Sequence, residues 1–299
     1  MQPKNSSATH YRGRFAPSPT GDLHLGSLVA AVGGYLEAKT NHGEWLVRID
    51  DLDLPRTISG AADSILKTLE RHQLFWDQSV LFQSNRNDYY RAALENLRET
   101  GHLFYCQCSR NILRGEQIYP GHCRNRKLSP DGHAARITVG NESLSMGDLW
   151  QGDQSWHLQS EVGDFIVRRS DGLYAYQLAV VVDDFMQGIT HIIRGSDLLQ
   201  STPKQLYLQS QLNYPTPRYG HLPIVLGRDG EKLSKQNLAQ PLSPETPLSN
   251  IFMALEFLGQ NPPPELLSDN LDNMWKWATK QWNTDLVPRQ NRIQVKSTQ

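Results

Sequence analysis

The chain has 299 residues and a net charge of −1, from 30 lysine and arginine and 31 aspartate and glutamate residues. This length suggests roughly two domains, and the balanced charge excludes a globally basic nucleic-acid-binding protein while leaving room for a local basic patch. No apolar run approaches the roughly 20 residues that cross a bilayer and no signal-peptide core opens the chain, so we expect a cytoplasmic protein with no membrane partner.

The first hundred residues alternate between strand and helix patterns. An apolar strand over Tyr11–Ala16 leads through a proline- and glycine-rich turn into a helix over Leu25–Lys39. A second apolar strand, Trp45–Ile49, follows, and helices are predicted over Ala61–His72 and Asp88–Thr100. Strand, turn, helix and strand in this order are typical of a βαβ unit, which predicts a parallel sheet with nucleotide chemistry at its C-terminal edge.

The stretch 103–171 breaks this alternation. It contains all three cysteines, many turn residues and two short strand candidates, Ala135–Val139 and Phe165–Arg168. We interpret it as an α+β subdomain inserted into a nucleotide-binding domain that comprises residues 1–102 and 172–228.

Helix and strand patterns resume after the insertion. They predict, in order, a helix over 173–186, a strand over Thr190–Arg194, a helix over Pro203–Leu212, a strand over Leu222–Leu226, and helices over Leu248–Leu258 and Asn270–Thr279. The predicted fold class is therefore α/β: a Rossmann-like, nucleotide-binding parallel sheet with an inserted α+β subdomain. Residues 229–299 would form a loop and a short helical C-terminal region.

A proline- and glycine-rich segment, RFAPSPTGDLHLGS (Arg14–Ser27), carries the first phosphate-binding signal. The turn lets the backbone approach a ligand closely, and the helix that begins near Leu25 directs its free N–H groups to the same place. There His24 and Ser27 can donate hydrogen bonds to phosphate oxygens as negative charge shifts during attack at the α-phosphate. On its own, a His-x-Gly step is more often only a turn into a helix.

The second phosphate-binding signal is GEKLSKQ (Gly230–Gln236), far downstream. Lys232 and Lys235 flank Ser234, and a loop of this kind can clamp the β- and γ-phosphates of a nucleoside triphosphate. Alone, such a string is usually a solvated surface loop. Together, the two segments predict a triphosphate site in which His24, Lys232 and Lys235 act in catalysis.

The three cysteines, Cys106, Cys108 and Cys123, lie within 18 residues of one another. Structural disulfides are rare in the cytosol, and clustered thiols favour a metal site instead. Structural zinc takes four tetrahedral ligands, usually sulfur or imidazole nitrogen. The alternative is three reduced cysteines without a metal. Candidates for the fourth ligand are Tyr119, His122 and His102, and a histidine is the commoner zinc ligand.

The two phosphate-binding segments together resemble the HIGH and KMSKS signatures of class I aminoacyl-tRNA synthetases. RFAPSPTG is similar to the glutamyl form of the first signature, whereas the glutaminyl form begins FPPEPNG. The resemblance extends from about Gly13 to Gln236 and implies that the triphosphate is ATP. Further strings that resemble the glutamyl branch are VVDD (Val181–Asp184), GITHIIRGSDLL (Gly188–Leu199), TPKQ (Thr202–Gln205) and HLP (His221–Pro223).

The resemblance also implies a binding site for L-glutamate. Arg14 and Arg194 would recognise a carboxylate, since a guanidinium fork matches its charge and geometry, and Tyr176 would add a phenol hydrogen bond. Asp50 stands where the family's RIED string usually has glutamate (here RIDD, Arg48–Asp51). It keeps the negative charge that would pair with the substrate ammonium but is one methylene shorter. The implied set is Arg14, Phe15, Ala16, Pro17, Ser18, Asp50, Tyr176 and Arg194.

Zinc-binding arms of the glutamyl branch have the pattern C-x-C…Y-x3-C, which implies Tyr119 as the fourth ligand. The implied site is one structural Zn²⁺ held by Cys106, Cys108, Tyr119 and Cys123. The insertion would then be a zinc-binding subdomain that contacts the RNA acceptor.

Only 63 residues follow Gln236, too few for the stem-contacting and anticodon-binding domains of a glutamyl-tRNA synthetase. The chain thus most resembles a truncated paralogue family, the glutamyl-queuosine tRNA(Asp) synthetases. In that family glutamate is activated with ATP and Mg²⁺, without tRNA, and transferred to the queuosine base in the anticodon of tRNA(Asp). Implied partners are therefore ATP, L-glutamate and queuosine-containing tRNA(Asp); the oligomeric state stays open, with a monomer favoured.

Two other functions remain to be distinguished from this one. A minimal glutamyl-tRNA synthetase would charge a tRNA 3′ end and need its missing domains from another chain. A non-catalytic RNA-binding paralogue would keep the cysteine arm without chemistry. The presence of His24, Lys232 and Lys235 argues against the second alternative, since a binding module has no use for a phosphate clamp.

Overall fold

The computed structural model describes residues 10–226, 242–243 and 245–294. The predicted lysine loop, with Lys232, Ser234 and Lys235, lies outside these residues. In chain order the strands are β1 Arg12–Phe15, β2 Glu44–Ile49, β3 Leu81–Phe82, β4 Leu103–Cys106, β5 Ala134–Ile137, β6 Ser143–Asp148, β7 Gly152–His157, β8 Phe165–Arg168, β9 His191–Gly195, β10 Arg218–Leu222, β11 Ile224–Leu226 and β12 Arg292–Gln294. The helices are α1 Leu25–Thr40, α2 Ala61–Arg71, α3 Asn87–Glu99, α4 Tyr176–Met186, α5 Thr202–Gln211, α6 Pro247–Phe257 and α7 Leu271–Gln281.

The main sheet is built largely from parallel strands, which confirms the predicted α/β class. β1 and β2 pair in parallel, and β3 extends this side beyond β2. On the other side β9 and β10 pair in parallel, with Arg194 opposite His221. The backbone N–H of Thr190 donates to the carbonyl of Arg12 at 2.9 Å, which links β9 to β1. Ligands of such sheets bind beyond the carboxyl ends of the strands, and this is where the candidate site lies.

Helix α1 covers one face of this sheet and positions the start of the candidate site. Leu28, Val32 and Leu36 recur at helical spacing and are fully buried. Gly33 faces β10, where an added Cβ would lie only 2.8 Å from Cδ1 of Leu222. The missing side chain therefore allows a close approach of helix and strand that a larger residue would prevent.

The described C-terminal helices pack back onto α1. Leu255 of α6 and Met274 of α7 are fully buried in the same hydrophobic core as α1. The indole N–H of Trp282 donates to Oε1 of the buried Glu37 at 2.8 Å. Helices are thus present at both positions predicted after residue 245, and both pack into the core shared with α1.

Strand β11 is held by the end of the described chain. It pairs in parallel with β12, with Val225 opposite Ile293. The carbonyl of Asn291 accepts hydrogen bonds from the N–H of Ile224 at 2.9 Å and from the hydroxyl of Ser196 at 2.7 Å. Residues next to β12 therefore tie together the segments that follow β9 and β10.

The stretch 103–171 contributes to two different sheets. β4, β5 and β8 form an antiparallel sheet that includes Cys106. β6 and β7 form a hairpin, and β6 pairs with β10 through Asp148 and Tyr219. The sequence analysis does not predict this hairpin, since SLSMGD has little apolar character. It brings Asp148 next to the main sheet.

Two element boundaries differ from the predictions. The single strand predicted over Leu222–Leu226 is divided at Pro223 into β10 and β11, because proline has no N–H to donate to a strand partner. The helix predicted to begin near Leu173 begins at Tyr176. Within the described ranges, none of the helices has both the length and the apolar character needed to cross a membrane.

Candidate active site and metal centre

A cavity of about 290 Å³ opens at the carboxyl edge of the main sheet. Its walls come from the residues after β1, from the amino end of α1, and from the residues after β9 and β10. This is the position at which α/β sheets bind nucleotides. The predicted residues that line it are Phe15, Pro17, Ser18, His24 and Ser27.

His24 caps the amino end of α1 with its side chain. Its Nδ1 accepts from the N–H of Ser27 at 3.2 Å, and the hydroxyl of Ser27 lies 3.4 Å from the N–H of His24 as an acceptor. This reciprocal pair satisfies two N–H groups that the helix would otherwise leave open. Because Nδ1 accepts, the neutral ring carries its proton on Nε2, the nitrogen that can donate to a ligand.

A second cavity, of about 410 Å³, adjoins the first. Its lining includes Asp50 after β2 and Tyr176 at the start of α4. Ser18 lines both cavities. Three residues predicted to bind glutamate, Ser18, Asp50 and Tyr176, are therefore brought together beside the nucleotide-type cavity.

A buried charge network lies under these cavities. Arg14 donates from Nε and Nη2 to the two carboxylate oxygens of Asp184, at 3.1 and 3.3 Å. Arg48 is fully buried and donates to Asp184 at 2.6 Å and to Asp50 at 2.8 Å. Burial raises the pKa of Asp184, but Arg14 and Arg48 outweigh it and hold the pKa below its usual value. Arg14 is thus already paired with a carboxylate of the protein.

The pKa of Asp50 is shifted in the opposite direction from the pKa of Asp184. Burial raises the pKa of Asp50 to about 6, although Arg48 opposes this shift. At neutral pH the carboxylate is therefore mostly ionised. It can receive a substrate ammonium, which would stabilise the ionised form further.

Arg194 has a different environment from Arg14. It is buried, and its Nε and Nη2 donate to Nε2 of His221 at 3.0 Å and to the hydroxyl of Thr202 at 2.9 Å. Within the described residues it forms no ion pair, and its buried Nη1 has no hydrogen-bond partner. Leu198, whose carbonyl lies 3.5 Å from Nη2, lines the 290 Å³ cavity. A buried guanidinium with an unpaired donor and no ion pair among the described residues suits an acidic ligand.

The three cysteine thiols converge on one point. Their sulfur atoms all lie within 4.8 Å of one another, and Cys106 and Cys123 are buried. Burial raises the pKa of Cys106, but hydrogen bonds from the Tyr119 hydroxyl and the Cys108 N–H outweigh it and lower the pKa to about 7. Thiolates are the form that binds zinc, so this donor set fits a soft divalent metal.

Of the three candidates for a fourth ligand, the structure brings Tyr119 to the thiols. Its hydroxyl lies 3.4 Å from Sγ of Cys106 and 3.9 Å from Sγ of Cys108. Among the described histidine, cysteine and acidic side chains, the cluster at this point contains the three cysteines and neither His102 nor His122.

The sequence did not identify several residues that lie around the site. Arg48 and Asp184 hold the predicted Arg14 and Asp50, and Asp148 and His221 lie behind Arg194. The sequence does indicate a buried ion pair for Arg48, because a charged residue inside an apolar strand must find a buried partner. The identity of the partner carboxylate, however, depends on the fold.

Comparisons with known proteins agree with this geometry. A family model described as "tRNA synthetases class I (E and Q), catalytic domain" matches residues 10–131 and 117–245. A glutamate tRNA ligase from Elizabethkingia meningosepticum, solved in complex with its amino acid, superposes with a TM-score of 0.80 at 25% identity. The match covers 96% of this chain and 67% of that ligase.

Curated relatives are similar over almost their whole length. Proteins named glutamyl-Q tRNA(Asp) synthetase from Aromatoleum aromaticum and Dechloromonas aromatica are 50% and 49% identical, over 96% and 95% of this chain and 93% and 97% of theirs. The protein of that name from Methylococcus capsulatus is 48% identical over 99% of this chain and 98% of its own. The chain therefore belongs to the class I glutamyl and glutaminyl tRNA synthetase family, in its glutamyl-Q tRNA(Asp) synthetase branch.

Proposed function

We propose that the protein, as a cytoplasmic monomer, activates L-glutamate with ATP in the absence of tRNA and transfers it to queuosine in the anticodon of tRNA(Asp). The observation that carries this proposal is the pair of cavities that share Ser18. One has the helix amino end and His24 that suit a triphosphate, and the other has Asp50 for a substrate ammonium. The names of the relatives support the choice of acceptor.

The proposed reaction has two steps. A glutamate carboxylate oxygen attacks the α-phosphate in line, so that a new P–O bond forms while the bond to the leaving pyrophosphate breaks. A queuosine hydroxyl then loses its proton and attacks the acyl carbon, which forms an ester and releases AMP. His24 would donate from Nε2 to the phosphate oxygens, with Lys232, Ser234 and Lys235 on the other side. Mg²⁺ bound with ATP would neutralise phosphate charge.

Positioning supplies much of the expected rate. Asp50 and Tyr176 would orient the amino acid, and the backbone of Arg14–Ser18 would line the wall between the substrates. Arg194 would take a substrate carboxylate, whereas Arg14 would act mainly by holding Asp184 and the strand β1. Glutamate would thus be held through its ammonium group and through one of its two carboxylates.

We propose that Cys106, Cys108, Tyr119 and Cys123 hold one structural Zn²⁺. The supporting observation is that the Tyr119 hydroxyl faces the converging thiols. The metal would stiffen the insertion 103–171, which would meet the RNA, while residues 1–102 and 172–228 would form the catalytic domain.

Zinc content tests this ligand set. We expect the purified protein to contain about one zinc ion per chain, and Cys108→Ser to lose most of it, because structural zinc sites require four ligands. Tyr119→Phe should also lower zinc retention during dialysis against a chelator, measured by mass spectrometry. His122→Ala is the matched control and should keep the metal. Loss of zinc in His122→Ala but not in Tyr119→Phe would assign the fourth position to His122.

One assay distinguishes the proposed function from its alternatives. The protein is given ATP and labelled glutamate without tRNA, and glutamate-dependent ATP–pyrophosphate exchange is measured. The same mixture then receives tRNA(Asp) with queuosine, tRNA(Asp) without queuosine, or tRNA(Glu). We expect exchange without tRNA and label only on queuosine-containing tRNA(Asp). Label on tRNA(Glu) would establish a minimal glutamyl-tRNA synthetase, and the absence of exchange would favour a non-catalytic RNA-binding protein.

A further inference from the structure

Arg194 is a buried cation whose charge is not neutralised by a neighbouring carboxylate of the described residues. It is 5% exposed. A buried charge is costly unless it is paired, and a buried donor without an acceptor adds to that cost. Arg14 and Arg48, by contrast, share Asp184. The cost at Arg194 is therefore of the kind that a bound substrate carboxylate would offset.

Something must hold this guanidinium in place while the substrate is absent. Nε of Arg194 donates to Nε2 of His221 at 3.0 Å, and Nδ1 of His221 lies 2.6 Å from Oδ2 of Asp148. Since Nε2 accepts from a guanidinium, the imidazole proton must be on Nδ1, where it is donated to Asp148. Burial lowers the pKa of His221; Asp148 opposes the shift and Arg194 reinforces it, so that the ring is neutral.

Asp148 is itself fixed by the backbone. Its Oδ1 accepts from the N–H groups of Trp150, Gln151 and His221 at 3.1, 3.0 and 3.1 Å. That oxygen cannot turn away without leaving three donors unsatisfied. Oδ2 is therefore the atom presented to His221, and it accepts a hydrogen bond from the Nδ1–H group of the imidazole.

We propose that Asp148 and His221 are positioning residues for the glutamate site: Asp148 selects the tautomer of His221, and His221 holds the guanidinium of Arg194 ready for a substrate carboxylate. This inference rests on the proposed function, since it takes Arg194 as a glutamate ligand. It also places β6, within the stretch 103–171, in the machinery that recognises the amino acid.

Asp148→Asn tests the choice of tautomer. The asparagine oxygen should keep the position of Oδ1, because three backbone N–H groups face it, so the amide NH₂ would point at Nδ1 of His221. The imidazole proton would then move to Nε2 and face Nε of Arg194, donor against donor. We expect the KM for glutamate in the exchange assay to rise roughly 10- to 100-fold, the range for losing one hydrogen bond to a charged group, with the KM for ATP unchanged.

His221 variants test the second link. His221→Leu removes the acceptor and should raise the KM for glutamate by a similar factor, whereas His221→Gln provides an amide oxygen near the position of Nε2 and should restore most of the affinity. Asp153→Asn, an exposed change in the partner strand β7, is the control and should behave as wild type. If His221→Leu does not fold, Asp148→Asn and His221→Gln still test the relay.

A structural role alone would give a different result. The proposal would be overturned if the KM for glutamate in Asp148→Asn equalled that of the wild type. It would also be overturned if the KM values for ATP and glutamate rose by the same factor. A second measurement does not depend on activity: ¹⁵N-histidine NMR should show His221 protonated on Nδ1 in the wild type and on Nε2 in Asp148→Asn. An unchanged tautomer would also overturn it. The wild-type protein could lack glutamate-dependent exchange while the tautomer still differs between the wild type and Asp148→Asn. That result would contradict the proposed function but not the coupling of Asp148 to His221.

Discussion

Asp184→Asn is expected to lower the free energy of unfolding by about 3–5 kcal/mol, the range for removing one partner of a buried ion pair. Asp184 neutralises two buried guanidiniums, those of Arg14 and Arg48. The substitution keeps the shape but removes the charge, so both cations lose their shared partner. Chemical denaturation followed by circular dichroism measures the change.

A surface ion pair provides the control for this loss. Asp285 lies 3.9 Å from Arg289, and both side chains are mostly exposed. Asp285→Asn should change stability by no more than about 0.5 kcal/mol. Because the pKa of Asp184 is lowered in the folded protein, its contribution is complete above the unfolded pKa of about 4 and disappears as the pH falls below it. A loss of less than about 1 kcal/mol in Asp184→Asn would show that the network does not depend on this carboxylate.

His24→Asn is expected to slow ATP–pyrophosphate exchange by roughly 10²- to 10³-fold, the range for losing one donor that stabilises transition-state charge. Asparagine is itself a good helix N-cap, so the start of α1 should be preserved. The KM for glutamate should change little, because His24 lines the nucleotide-type cavity and not the cavity of Asp50. Steady-state exchange kinetics and thermal denaturation measure the two effects separately.

The other end of the same helix offers a matched control. His42 is exposed and has φ of 53°, a conformation that asparagine tolerates well. His42→Asn should therefore leave exchange and stability unchanged. His24→Ala should add a loss of about 1 kcal/mol in stability from the missing cap. An exchange rate in His24→Asn within threefold of the wild type would exclude a catalytic role for the imidazole.

The sequence was sufficient to predict the parallel sheet and the nucleotide-type cavity. β1, the turn at Pro17 and the helix α1 are contiguous, so local patterns alone place His24 at the edge of the sheet. The cysteine cluster is equally local, since its three thiols lie within one short segment of the chain. The residues predicted to bind glutamate came from the family resemblance, and three of them, Ser18, Asp50 and Tyr176, do meet in one cavity.

The charge pairs could not be predicted in the same way. Arg48 and Asp184 belong to distant segments, and their meeting depends on how β2 and α4 pack. Periodicity reports which face of an element is buried but not which partner it meets. The hairpin of β6 and β7 was missed because its strands are half-exposed and polar, and with it the contact of Asp148 with His221.

The pairing of β11 with β12 has a mechanical consequence for the nucleotide-type cavity. Val225 of β11 lies opposite Ile293, and Ile224, which lines that cavity, donates its N–H to the carbonyl of Asn291. Asn291 is tethered in turn to Ser196, beside the wall of the nucleotide-type cavity. A change near the distal end of the described chain would therefore shift the wall of this cavity without altering any residue of the Arg14–Ser27 segment.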